Sequence, residues 1–280
     1  VADPQSSVVE AGFHALSSRL SPLPKLLERA ALNADEDIEH VHRLRVGTRR
    51  ADAAITEFSD ILEEAETREI TASLKQIRKA AGRARDLDVL IQRHRKDPDI
   101  LKRLRPKRKR AQKKIKRVFR DLQQTGELTT RIQHVLQSVP SESNLRRDET
   151  FRAWAAQRLE AKVATFLEAW PLGSDDLEAL HRFRIRAKAL RYTIELFASV
   201  FPAQLKSELY PRVEQLQNVL GDINDHHVAL RKFDRWESDD DLAALKSETE
   251  SALEERLHQF QQCHGTNARD EFKRIAESCW

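Results

Sequence analysis

The chain has 280 residues and a mass of 32.3 kDa; 40% of its side chains are apolar, enough for a core, and 34% are charged. Only 7 Gly and 9 Pro leave too little turn material for an all-β or doubly wound α/β protein, so the fold read from composition is all-helical. The 49 Lys and Arg against 45 Asp and Glu give a net charge of just +4, which hides strong local segregation, and two cysteines, Cys263 and Cys279, make neither a disulfide framework nor a zinc set.

Apolar periodicity predicts a first helix over 8–20, broken at Ser21-Pro22-Leu23-Pro24 and resumed to about 32. Residues 33–37 read as a cap-rich entry to a long helix over 38–64, followed by another over 67–95 that stops before Asp97-Pro98. A very basic segment covers 100–122, where Pro106 is expected to start or kink the main helix. Gln123-Gln124-Thr125-Gly126 breaks it before a short helix that ends at Val139-Pro140. Ser141-Glu142-Ser143-Asn144 has the polar composition of a linker and sets the expected domain boundary, 1–140 against 141–280.

After the linker the series begins again. A helix over 151–170 is closed by Pro171-Leu172-Gly173, and Ser174-Asp175-Asp176 caps the next, which runs to about 200. A helix to about 236 follows with Pro211 near its start, then an acidic helix over 239–264 and a tail helix to 280. Each half reads as four or more antiparallel helices with short connections. No apolar run approaches the ~18 residues a membrane span needs. The N-terminus lacks a basic-then-apolar leader pattern, and the cysteine usage points to a reducing cytoplasm.

The halves repeat each other at a constant shift of 139 residues. His42-Arg43-Leu44-Arg45 aligns with His181-Arg182-Phe183-Arg184, Ile55 with Ile194 and Phe58 with Phe197; Glu57 against Leu196 is a mismatch. Gly82, Asp86 and Val89 align with Gly221, Asp225 and Val228 at the same shift. Two motifs sharing one offset identify an internal duplication.

His181, Arg184, Lys188 and Arg191 fall within an arc of about 80° on one helix face, while Phe183, Ala187, Leu190, Ile194 and Phe197 take a separate, core-facing one. In the first half His42, Arg45 and Arg49 hold the basic stripe, and Leu44, Ala51, Ile55 and Phe58 the apolar one. Solvated helix faces usually alternate Glu with Lys one turn apart. The second stripe holds only cations and histidine over about three turns, a repulsion that a polyanion relieves. The first stripe runs about two turns before Asp52 enters the same phase. In the paired segments at Gly82 and Gly221, an intrahelical glycine suggests close helix approach, with Asp86 and Asp225 positioned to accept from Arg or His on the neighbouring helix. An ordinary pair within the helix is the equal alternative. The run from Lys102 to Arg120 contains no acid, and its Lys102, Arg105, Lys109, Lys113 and Lys116 are further candidate contacts for a phosphate polymer. Its counterpart near 239–255 is acidic, through Asp239, Asp240, Asp241, Glu248, Glu250, Glu254 and Glu255.

At these motifs the sequence resembles the CHAD (conserved histidine α-helical domain) family. That family's pattern is a helix beginning His-x-x-Arg with further cations a turn or more later, then a Gly-x-x-Arg/Asn-Asp segment, all occurring twice. His42, Arg45, Arg49, Arg50, Arg85 and Asp86 carry the first copy; His181, Arg184, Lys188, Arg191, Tyr192, Asn224 and Asp225 carry the second. The resemblance implies two four-helix bundles related by pseudo-twofold symmetry, inorganic polyphosphate bound in a basic groove or pore between them, and association with polyphosphate granules. Two departures stand out: Asp52 where the second copy has Arg191, and Ala189 where the first has Arg50. They make a lopsided groove the expectation.

The chemistry of the residues agrees. Polyphosphate presents acceptor oxygens all around and no bases; Arg offers forked donors and Lys a movable point charge. A ten-residue stripe spans about 15 Å. Two rival readings remain. A general polyanion or nucleic-acid binder fits the charge, but only 6% of residues are aromatic and those in the stripes fall in core phase, which argues against base stacking. An enzyme finds no phosphate loop and no His-Glu-x-x-His. Asp222, Asp225 and His226 share a helix face, but their counterparts Arg83, Asp86 and Leu87 cannot complete a metal site. The expectation is a non-catalytic binder of polyphosphate, with no cofactor, no metal, no membrane contact and at most incidental nucleic-acid binding.

Overall fold

The structure, a computed structural model, describes residues 3–34, 36–140, 150–234 and 240–279, and side chains at all of these but 240–242. The expected linker Ser141–Asn144, Asp35, Trp236, Asp239 and Trp280 lie outside the described residues, as do the side chains of Asp240 and Asp241. Every regular element among the described residues is helical. The chain forms two compact units, Val1–Phe151 and Arg152–Trp280.

The first unit holds α1 (Val8–Leu20), α2 (Leu23–Leu32), α3 (Glu39–Glu57), α4 (Glu64–Arg93), α5 (Pro98–Val118) and α6 (Glu127–Gln137). Helix α7 (Phe151–Glu168) starts at the division; α8 (Leu177–Phe197), α9 (Tyr210–Phe233), α10 (Asp240–Cys263) and α11 (Thr266–Glu277) complete the second unit. Elements recur at the shift of the sequence motifs. Single 3-10 turns stand at Ser59–Ile61 and Ala198–Val200, and α3 with α8 and α6 with α11 coincide within a residue.

Starts and stops follow local chemistry. Ser7 caps α1 by accepting from the Glu10 amide, Asp176 caps α8 by accepting from the Glu178 amide, and Gly126 and Gly173 supply the positive φ of 78° and 65° that their turns require. Asp97 accepts from the amides of Asp99 and Ile100, with Pro98 in the first turn of α5. The helix therefore starts at Pro98, and Pro106 lies inside it on the exposed side, where water can serve the carbonyl left without a partner. The helix expected over 38–64 also ends early, at Glu57: Phe58 leaves the helical path and, with Ile61, is drawn into the core.

In the first unit α1 and α2 pack on α3, α3 on α4, and α4 on α5 and α6. In the second, α8 packs on α9 and α9 on α10, over an aromatic cluster in which the Phe166 ring lies 4.7 Å from Phe183 and 5.1 Å from Phe272. The stripes' apolar partners Leu44, Ala51, Ile55, Phe58, Phe183, Ala187, Leu190, Ile194 and Phe197 are all buried.

Gly12 of α1 marks the tightest approach: a Cβ there would lie 2.6 Å from Ile61 Cδ1 and 2.9 Å from Phe58 Cδ1. The Phe58 ring is itself held against Phe151, at 6.2 Å between centroids. Gly12→Ala is therefore expected to destabilise by about 1–2 kcal/mol, overpacking outweighing the gain in helix propensity. Gly221, inside α9, has nothing within 4 Å of its Cβ position, and Gly221→Ala is expected to stabilise by up to ~1 kcal/mol. Thermal melting of the two variants checks both signs.

Candidate functional site

Helix α3 carries His42, Arg45, Arg49 and Arg50, all half-buried, and α4 carries Arg85. The two helices are clasped by a reciprocal pair. Arg45 Nη1 donates to the Arg78 carbonyl at 3.2 Å, and Arg78 Nη1 donates to the Thr48 carbonyl at 3.3 Å. A Cβ at Gly82 would sit 3.0 Å from Arg45 Nη1, so this glycine lets the guanidinium cross α4. Gly221, with open space at its Cβ position, has no such role.

Arg85 Nη1 reaches Glu39 at 3.1 Å. Around His42 this assembles a cationic cluster. Burial pushes its imidazole below the usual histidine value, Arg85 adds to that, Glu39 opposes it, and Arg45 and Arg49 lower it further. Arg49 makes no ion pair among the described residues. Without ligand, the folded chain resists protonation of His42, whereas the unfolded chain takes the proton below about pH 6.5. Stability from this group is thus lost as pH falls below that value. An anion placed against this cluster would oppose the field and raise the imidazole, so its binding would take up a proton. Affinity for such an anion is expected to rise from pH 7 to pH 5.5, less so in His42→Asn; a titration series of both proteins with a polyanion measures it.

In the second unit α8 carries His181, exposed, with Arg184 and Lys188 half-buried. His181 Nδ1 lies 2.9 Å from Asn224 Oδ1, and Asn224 Nδ2 donates to Asp225 Oδ1 at 3.3 Å. The residue orienting the histidine is Asn224, the counterpart of Arg85, with Asp225 one step behind it. Arg191 is turned to other work: its Nη1 is 3.2 Å from Glu214 Oε1 and its Nε 3.8 Å from Glu195 Oε1. The Tyr210 hydroxyl donates to that Glu195 oxygen at 3.0 Å, and burial together with Glu195 pushes the phenol up to about 12. Tyr192 is only 6% exposed and lies beneath the Arg191 guanidinium.

At the matching place in the first unit Asp52 pairs with Arg78 at 3.2 Å. Both stripes therefore end in an interhelical ion pair at the same turn. Beyond those ion pairs each stripe keeps a histidine and two cations, while Arg50 and Arg85 of the first copy stand where the second has Ala189 and Asn224.

On α5, Lys102, Arg105, Lys109, Lys113 and Lys116 are all exposed and make no ion pair among the described residues. Crowding shows at Lys107, which burial, Arg103 and Arg83 all depress. Arg108 departs from the run. It turns inward to Asp88, its Nη1 donates to Gln112 Oε1 at 2.9 Å, and Gln112 Nε2 donates to the Ala30 and Ala31 carbonyls at 2.8 and 3.0 Å. Elsewhere His226 Nδ1 meets the Asp222 carbonyl of its own helix at 2.7 Å. Among the described residues no three His, Cys, Asp or Glu side chains gather as a metal set, and no helix is long and apolar enough to cross a membrane. Sequence reasoning missed a pocket lined in part by His227, Val228 and Arg231 on α9. Only the i,i+4 spacing of His227 and Arg231 hinted at it.

A search of curated protein sequences gives no match. Among solved structures, the crystal structure of the CHAD domain from the plant Ricinus communis is similar, with a TM-score of 0.71 at 22% identity over 99% of this chain and 94% of that one. At that identity the likeness shows a shared fold. The CHAD domain family model matches residues 15–234, most of the chain. With the histidine-headed stripes and the helices beneath them, this match makes the chain a member of the CHAD domain family.

Proposed function

We propose that this chain is a non-catalytic binder of inorganic polyphosphate, held through His42, Arg45 and Arg49 on α3 and His181, Arg184 and Lys188 on α8. The observation that carries this reading is the gathering of half-buried cations, Arg45 and Arg49 on α3 with Arg85 on α4, around His42, where burial and then these charges hold the imidazole below its usual value. Cations held that close favour an anion with charge at every repeat. Asn224 positions His181, Arg85 adds its charge beside His42 while paired with Glu39, and the exposed cations of α5 extend the attraction without a shaped contact. Granule association in the cytoplasm is the cellular counterpart of this reading.

Aromatic placement favours polyphosphate over single-stranded nucleic acid. Phe58, Phe166, Phe183, Phe197 and Trp154 are buried, while Phe13, at 42% exposure, belongs to α1 and to neither stripe helix. Among the described residues no row of exposed rings is offered to stacked bases.

The test is competition at near-physiological salt, with labelled long-chain polyphosphate challenged by single-stranded RNA and duplex DNA at equal phosphate concentration. Nucleic acid is expected to displace it weakly. Equal displacement by all three would make the chain a general polyanion binder. Raising salt is expected to weaken binding linearly on a log–log scale, with a slope of about −0.7 to −0.9 per phosphate neutralised if polyphosphate behaves as nucleic acids do.

A further inference from the structure

The first turns of α8 and the last turns of α9 enclose a pocket of about 550 Å³, within the ~300–1,000 Å³ range of small-molecule sites. Its floor is aliphatic. Leu180, Leu220 and Ile223 lie beneath, with the half-buried Leu177 and Val228 at the sides. A bare phosphate chain has no surface to place against such a floor, so polyphosphate binding leaves it unexplained.

The polar rim is mixed. At the start of α8 Asp176 and Glu178 share the Arg182 guanidinium, at 3.8 and 3.5 Å, and Asp176 also caps the helix. One cation serves both carboxylates. On the facing stretch of α9 His227 and Arg231, one turn apart, have no partner among the described residues. Further along α8, His181 is held by Asn224 through Nδ1, and its Nε2 makes no bond among the described residues. The pocket therefore combines an apolar bed with unspent donors. This calls for an organic anion.

His181 belongs both to this pocket and to the stripe that continues along α8 through Arg184 and Lys188. A molecule lying on the apolar bed thus meets, at its outer end, a track of phosphate-binding side chains. From this junction we propose that the pocket seats the base of a nucleoside oligophosphate, whose phosphates pass His181 onto the α8 stripe, with His227 and Arg231 donating to its sugar and first phosphate. The proposal rests on the polyphosphate reading for the stripe and adds the ligand class that the stripe alone does not specify.

The test compares ATP with tripolyphosphate, which has the same number of phosphates but no base, by calorimetry without divalent metal at one salt concentration. Long-chain polyphosphate is the third titrant. ATP is expected to bind at least tenfold tighter than tripolyphosphate, about 1.4 kcal/mol. Val228→Trp, which fills the pocket, is expected to bring ATP down to the tripolyphosphate level while leaving tripolyphosphate and long chains unchanged. Val228→Asn, a smaller change at a half-buried position, should reduce the preference partway. Equal affinity for ATP and tripolyphosphate in the native chain, or a preference indifferent to both variants, overturns the pocket assignment; if long chains still bind, the polyphosphate reading stands without it. Failure of all three titrants to bind overturns that reading and this one together.

Discussion

Reversing two charges of the α8 stripe, Arg184→Glu with Lys188→Glu, is expected to weaken polyphosphate binding by about 100- to 1,000-fold, whereas Lys107→Glu with Lys114→Glu on α5 costs about tenfold or less. The net charge change is identical, so the difference isolates position. Arg184 and Lys188 are half-buried on a helix whose histidine is already oriented by Asn224. Contacts formed there lose little side-chain freedom and are partly shielded from salt. Lys114 is exposed on α5 and Lys107 half-buried among like charges, where the attraction they exert is diffuse and falls off within about 8–10 Å. Arg191→Gln separates the two readings of the fourth stripe residue. Already engaged by Glu214 and Glu195, it should affect affinity far less than Arg184→Gln. Equal losses in the two charge-reversal pairs would show that total charge, and not the stripes, makes the site.

The largest stability effect is expected at Arg108. Its partner Asp88 is 2% exposed, and burial pushes this carboxyl up from its ordinary value against the lowering influence of Arg108. With Gln112 carrying the network to the Ala30 and Ala31 carbonyls at the end of α2, the arrangement ties α4, α5 and α2 together. Arg108→Met leaves a buried carboxylate with no charge partner and is expected to cost about 3–5 kcal/mol. Removing both charges, with Asp88→Leu added, should recover most of that loss. The pH dependence gives a second signature. A buried acid with a raised folded value holds its proton more readily in the folded chain, so its contribution grows as pH falls through the window above the unfolded value of about 3.9. Urea unfolding of Arg108→Met should therefore show stability increasing from pH 7 toward pH 5. A flat profile would mean that Asp88 finds water or another donor once Arg108 is gone.

This residue also shows where one-dimensional reading stops. The acid-free run from Lys102 to Arg120 looks uniform in sequence, yet Arg108 belongs to the interior. Its phase on α5 is that of Leu104, Ala111 and Ile115, which are buried, and only the arrival of Asp88 from another helix makes a cation tolerable there. The same holds for Arg191. Its place in the stripe follows from angular spacing, but its commitment to Glu214 depends on α9 packing beside α8. Of the two readings open for Asp225, the pair within its own helix is the one seen, with Asn224, and it is Asn224 that reaches His181, because helix spacing gives the face and the crossing point selects which neighbour makes the contact.

What the sequence by itself determined was periodic and local. The all-helical class, the cap at Asp176, the apolar faces of α3 and α8, and the 139-residue offset all arise from interactions within a few residues or from repetition of one pattern. So did the two histidine-headed stripes, and with them the family. Tertiary structure decided what depends on a second helix: the stop at Glu57, where Phe58 finds the core; the close approach at Gly82 but not at Gly221; the equal length of the two stripes; and the pocket at the α8–α9 end. Each of these turns on a distance between side chains far apart in sequence. A long Arg or Lys reaches either solvent or a buried carboxylate from the same backbone position, and the neighbouring helix determines which.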